Sequence, residues 1–212
     1  MPALAIGVPV TKTKVVNLDG DPELEQVIPQ EVCATFAGSA DTSACAPDQF
    51  PQRRVVVEDT CNGAAYTRVV SSEQEAVIKL RVSNFEDITP RPEIFFDLRS
   101  GAGGRVGEIR IVSWEDGPTP GSCPEPRALF RYPSKRTRGR VPKRAKSGDT
   151  FDAALREVSK HYAGKELRLR ETYVDRNDAL CCPSFERITW FGYSAGRDLY
   201  LRFRTNVKRI RK

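Results

Sequence analysis

Nine residues near the start of the chain, Asn17-Leu18-Asp19-Gly20-Asp21-Pro22-Glu23-Leu24-Glu25, place side-chain oxygens at every second position. A hard divalent cation such as Ca²⁺ takes about six to eight oxygens from carboxylates, amides and backbone carbonyls. A tight loop offering oxygens at its first, third, fifth and ninth positions, with a backbone carbonyl at the seventh, can wrap one ion. The candidate ligands are therefore Asn17, Asp19, Asp21, Glu25 and the carbonyl of Glu23. Such a set does coordination chemistry and names no reaction. An EF-hand is excluded, because its sixth and twelfth positions need glycine and a bidentate glutamate. Pro22 and Ile28 stand there.

The elements that must hold this loop are strands. Its flanks, Lys12 to Val16 and Gln26 to Ile28, are short and β-branched, which predicts strand–loop–strand. The unit resembles the FG-GAP repeat of integrin α-chains and of many bacterial surface proteins, in which a loop of the form DxDGDGxxE precedes a strand. The resemblance implies a β-repeat fold with a structural Ca²⁺. Residues 84–114 read as a degenerate second copy: Asn84-Phe85-Glu86-Asp87-Ile88-Thr89-Pro90-Arg91-Pro92-Glu93 leads into Ile94-Phe95-Phe96. Only Asp87 and Glu93 align as ligands there, and Arg91 would repel a cation. This copy is expected to bind nothing. Gly101-Ala102-Gly103-Gly104 is followed by the alternating Glu108-Ile109-Arg110-Ile111-Val112-Ser113-Trp114 rather than by a helix. That predicts a hairpin turn, not a dinucleotide loop.

Composition bounds the rest. A chain of 212 residues with 39% apolar and 29% charged side chains can bury one good core, with a smaller unit appended. No apolar run is long enough to span a bilayer, so no transmembrane segment is expected. Strands are predicted near 53–59, 64–70 and 76–83, with a loop over 37–52. In the third, Ile78, Leu80 and Val82 alternate with Lys79 and Arg81.

Six cysteines accompany one histidine: Cys33, Cys45, Cys61, Cys123, Cys181 and Cys182. No C-x-x-C occurs and His161 is remote, so zinc is disfavoured. An even number spread over a loop-rich chain predicts disulfides formed outside a reducing compartment. The adjacent Cys181 and Cys182 would strain a bond to each other. Each is expected to reach another partner, Cys123 being the first candidate. Export is then required, yet Met1-Pro2-Ala3-Leu4-Ala5 lacks a basic leader and an apolar core. The expected location is secreted or cell-envelope, with the export signal absent or truncated.

Basic residues are clustered. Arg131, Lys135, Arg136, Arg138, Arg140, Lys143, Arg144 and Lys146 form one group, and Arg202, Arg204, Lys208, Arg209, Arg211 and Lys212 another. These fourteen cations exceed the net charge of +6, leaving the rest of the chain at −8. A linker over 131–148 is expected, with Arg136, Arg138, Arg140, Lys143 and Arg144 able to meet a polyanion, either nucleic acid or an anionic envelope polymer.

The C-terminal third predicts one helix, capped at Asp149 or Thr150, with Phe151, Ala154, Leu155, Val158 and Tyr162 on one face. Strands at Glu166–Val174, 187–192 and 198–204 follow. In the last of these, Leu199, Leu201 and Phe203 oppose Tyr200, Arg202 and Arg204. Tyr173-Val174-Asp175-Arg176-Asn177-Asp178-Ala179-Leu180-Cys181-Cys182-Pro183-Ser184 resembles the LppP/LprE-type lipoproteins of actinobacteria, through their Y-x-D-x-D-x-x-CCPS pattern. That resemblance covers roughly 149–206 and implies an exported envelope protein.

The expected fold is α+β and mostly β: antiparallel sheets from FG-GAP-like units over 1–130, the basic linker, and a helix packed on a β-meander over 149–212. The single histidine argues against catalysis, and no small-molecule substrate is evident. The expected function is a non-enzymatic structural or interaction module of the envelope with one Ca²⁺-stabilised loop, its partner a protein or envelope polymer. The alternative is polyanion binding through the linker and tail.

Overall fold

The computed structural model describes residues 11–34, 40–41, 50–72, 74, 76–85, 90–100, 105–117, 119, 121–134, 137, 152–160, 165–175 and 183–210. Thirteen strands run through them: β1 Lys14–Val16, β2 Glu25–Ala34, β3 Ala40–Asp41, β4 Phe50–Cys61, β5 Ala64–Val69, β6 Ala76–Ser83, β7 Glu93–Ser100, β8 Arg105–Glu115, β9 Glu125–Tyr132, β10 Asp152–Lys160, β11 Lys165–Tyr173, β12 Phe185–Ser194 and β13 Leu199–Arg209. They form three sheets, ordered β1-β2-β4-β5 with β3 on β2, β6-β7-β8-β9 and β10-β11-β12-β13. Every pairing whose register is described is antiparallel.

No helix occurs among the described residues, which corrects the α+β expectation to all-β. The segment expected to be the C-terminal helix is β10, paired along its length with β11 from Asp152↔Thr172 to Lys160↔Lys165. Its Ala-Ala-Leu-Arg-Glu run favours a helix locally, by a fraction of a kcal/mol per residue. A ladder with β11 satisfies the backbone of both strands at once and outweighs so weak a preference. Among the described residues no helix is long and apolar enough to cross a membrane.

The chain divides into two compact units, one made of Met1–Asn84 and Thr89–Arg131, the other of Phe85–Ile88 and Tyr132–Lys212. In the first, two sheets share a core of Leu18, Val27, Val55, Val57, Val77, Leu80, Ile94, Phe96, Leu98, Val112 and Trp114. Alternation in β2 and β4 supplies the inward faces. Asn62 and Gly63, at φ 54° and 74°, make the two-residue turn that joins β4 to β5. β7 and β8 pair antiparallel out to Ser100↔Arg105, and the expected turn at 101–104 lies outside the described residues. Part of the expected loop 37–52 is strand, and β9 adds a strand the sequence reading lacked.

Cys61 is bonded to Cys123, with Cα atoms 5.5 Å apart. This corrects the expected pairing of Cys123 with Cys181 or Cys182. The bond closes 62 residues of sequence, which in the chain-entropy account contributes about 4 kcal/mol. Cys33 is also disulfide-bonded. Cys45, Cys181 and Cys182 lie outside the described residues, as do Arg136, Arg138, Arg140, Lys143 and Arg144 of the expected linker.

The second unit is organised around a buried ion pair. Arg187 and Glu171, 1% and 0% exposed, sit on neighbouring strands in direct register. Arg187 donates through Nε and Nη2 to the two carboxylate oxygens, at 2.6 Å each, and the hydroxyls of Tyr132 and Tyr173 donate to Glu171 Oε1 at 3.0 Å. Burial lowers the guanidinium's proton affinity, but the bonds to Glu171 outweigh it and hold Arg187 above its ordinary value. In β13 the expected alternation fails. Trp190 pairs with Arg204 and Phe191 with Arg202, so Phe203 is the extra residue of a bulge. It is 57% exposed, whereas Tyr200 is buried. Arg187→Ala is expected to cost about 3–5 kcal/mol, because it strands a buried carboxylate. Urea unfolding checks this, and joint replacement of Glu171 and Arg187 by Leu and Met should recover most of the loss.

Candidate metal centre

The acidic segment is the connection between β1 and β2, closed by the pair Val16↔Glu25. Leu18 points into the core and is fully buried, which pulls the loop down over the end of the first sheet. Gly20 takes φ +90°, a left-handed conformation that an L side chain rarely adopts. A Cβ there would also stand 3.5 Å from Arg91 Nε.

Backbone N–H groups hold the ligand side chains. Gly20 donates to Asn17 Oδ1 at 2.6 Å, Asp21 to Asp19 Oδ1 at 3.1 Å, and Glu23 to Asp21 Oδ1 at 2.8 Å. The Leu18 N–H donates to Glu25 Oε2, and the Asn17 amide donates to the Asp21 carbonyl. Each carboxylate thus spends one oxygen on orientation and keeps the other. One oxygen from each of Asp19, Asp21 and Glu25 lies within 4.8 Å of those of the other two. Of the five expected ligands, these three converge. Asn17 clasps the loop through both ends of its amide, and Glu23 is exposed with its N–H turned to Asp21.

A fourth carboxylate stands behind them. Gln26 pairs with Glu58, so continuing the ladder sets Glu25 opposite Asp59. Asp59 is buried and accepts from Tyr66 Oη at 2.6 Å, Trp114 Nε1 at 3.0 Å and its neighbour's Thr60 N–H at 2.6 Å. Tyr66 stacks on Trp114 with ring centroids 6.3 Å apart. Burial, with Asp59 beside it, raises the Tyr66 phenol well above its usual value. Sequence reasoning missed Asp59. The available signal was its parity: it continues the inward series Val55, Val57 at the end of β4.

The charges are crowded and unneutralised. Burial is the main cause that raises Asp19, with Asp21 and Asp59 adding repulsion. Burial likewise pushes Glu25 up to about 7, with Asp19, Asp59 and Asp21 contributing. Glu25 is 0% exposed and its Oε1 has no hydrogen-bond partner. Beside the loop lies a cleft of about 410 Å³, lined by Asp19, Gly20, Asp21, Thr60, Cys61, Asn62, Arg91, Asp116, Ser122 and Pro124. Arg91 is the nearby cation, and its guanidinium is 3.6 Å from Asp116. Asp87 of the second acidic segment lies outside the described residues.

The donor set fits a hard cation, since it is all oxygen and partly buried, and none of its carboxylates forms an ion pair among the described residues. No family model, curated protein or solved structure matches this chain. The likenesses to FG-GAP repeats and to LppP/LprE-type lipoproteins therefore rest on their motifs alone.

Glu25 makes stability depend on pH in a defined direction. Its carboxyl holds a proton more tightly folded, to about 7, than at the ordinary 4.5. The folded state is the more protonated one between these values, so this group's contribution is present in acid and lost as pH rises through about 7. In chelator, Glu25→Gln is expected to be more stable than the native protein above pH 7, by up to about 3 kcal/mol. The gap should close toward the ordinary carboxyl value. Urea unfolding of both proteins across that range checks this, and parallel pH profiles would refute it.

Proposed function

We propose that this protein is a non-enzymatic, exported or envelope-associated interaction module whose β1–β2 loop is locked by one Ca²⁺. The observation that carries this reading is the cluster of Asp19, Asp21 and Glu25, with one oxygen of each within 4.8 Å of the others, in which Glu25 is fully buried with an orphaned oxygen. Isolated buried charge is costly, and a divalent cation removes that cost. Asp19, Asp21 and Glu25 would supply carboxylate oxygens, with Asn17 and the Glu23 carbonyl completing the loop set. The ion would supply only charge and rigidity.

The Cys61–Cys123 bond supports an oxidising location. In such a setting a weak site suffices, and extracellular modules often bind Ca²⁺ with Kd of about 10⁻⁴–10⁻³ M. Isothermal calorimetry at neutral pH is expected to show one Ca²⁺ per chain at about 10⁻⁵–10⁻³ M. Asp19→Ala should abolish the heat, and Ca²⁺ should raise the melting temperature of the native protein but not of that variant. No heat, or unchanged binding by Asp19→Ala, would remove the proposal.

A further inference from the structure

Strand β13 is uncovered over its C-terminal part. From Arg202 to Arg209 eight consecutive residues are exposed, with Phe203 at 57% and Val207 at 45%. Successive strand residues point to opposite faces, so both faces of this stretch stand in solvent. One edge is paired to β12. Among the described residues no strand pairs with the other edge, which therefore presents backbone N–H and C=O groups.

The charge on this edge has one sign. Arg202, Arg204, Lys208 and Arg209 lie on it, and no acidic residue follows Asp198. Two of the cations are held in place from behind. The Arg204 guanidinium sits 4.9 Å from the centre of the Trp190 ring, and Lys208 Nζ is 2.7 Å from Glu186. Positioned but uncovered charges need little ordering when a partner arrives.

We propose that the outer edge of β13 docks an extended acidic segment of a partner protein, which adds to the sheet as a further strand. Main-chain bonds would supply register, and carboxylates opposite the four cations would supply selectivity. A second copy of β13 is disfavoured, because antiparallel self-pairing sets cation against cation. Edge cations alone can serve to block pairing. Blocked edges are also short, carry proline or hide their apolar groups; β13 is 11 residues long, has no proline and exposes Phe203 and Val207. A bare polyanion would use the charges and leave the backbone edge and these two apolar groups idle. The proposal stands independently of the Ca²⁺ loop.

The test uses the whole protein and a labelled synthetic peptide of alternating Glu and Val, as long as β13. Binding is expected, weakening steeply with salt, together with slowed amide exchange along β13. N-methylating alternate peptide amides keeps the charge and removes hydrogen-bond donors, and should weaken binding by more than about tenfold. Arg202→Glu combined with Arg209→Glu, at exposed positions without a hydrogen bond or ion pair among the described residues, balances the edge charge and should abolish the preference for the Glu/Val over the matching Lys/Val peptide. Circular dichroism of that variant verifies its fold. Absence of binding overturns the proposal. So does equal affinity for the N-methylated peptide, which would mean charge alone, or for oligothymidylate, which would mean a polyanion site.

Discussion

The first unit is constrained by where it puts negative charge. Its sandwich core ends at Leu18, Val57 and Trp114, and the next inward positions carry Asp59 and Glu25 instead of apolar side chains. A carboxylate in that position needs donors or a counter-ion. Asp59 has donors, from an indole, a phenol and a backbone N–H. Glu25 has one backbone N–H for two oxygens. The loop that covers it adds Asp19 and Asp21 rather than cations, so the closing segment sharpens the imbalance.

Elsewhere the same chain neutralises its buried acids internally. Asp97 receives a two-point contact from Arg99, at 2.8 Å for each bond. Glu108 pairs with Arg110 and with Arg131, the latter at 3.2 Å. Glu171 has Arg187 and two tyrosines. Burial pushes Glu186 up, but Lys208 and Arg170 outweigh it and hold its carboxyl below the usual range. In these cases the arginine lies two residues along the same strand or across a ladder, where strand geometry delivers it to the acid. Among the described residues, Asp19, Glu25 and Asp59 have no ion-pair partner of this kind. The nearest guanidinium, that of Arg91, is engaged by Asp116.

Glu171–Arg187 and the acidic cluster of the first unit manage buried charge by different physics. Glu171 and Arg187 are closed off, satisfied and inert, which suits the fixing of register between β11 and β12. The carboxylates of the β1–β2 loop face a cleft and keep free oxygens, which suits an exchangeable ion. Glu171–Arg187 is complete as the chain folds. The loop cluster keeps carboxylate oxygens unused, and the raised Glu25 carboxyl makes its stability follow pH.

Local sequence determined the features that depend on neighbours in the chain. Oxygens at alternate positions of 17–25 describe a loop in which three of the five expected residues, Asp19, Asp21 and Glu25, converge, because a short loop keeps such residues close. Alternation in Ala76–Ser83 and Lys165–Tyr173 likewise declares half-buried strands. Tertiary structure decided what rests on distant partners. Residues 152–160 carry a helical pattern and form a strand, because β11 offers a ladder along that whole length. Cys123 bonds to Cys61, 62 positions away, since loop 119–124 lies against the end of β4. Asp59 stands beside the acidic cluster only because β4 pairs with β2 in the register that sets Gln26 against Glu58. Phe203 is the extra residue of a bulge opposite Trp190 and Phe191, on a stretch exposed on both faces. Composition and spacing encode preferences of well under a kcal/mol per residue, and long-range pairing, where many backbone bonds form together, overrides them.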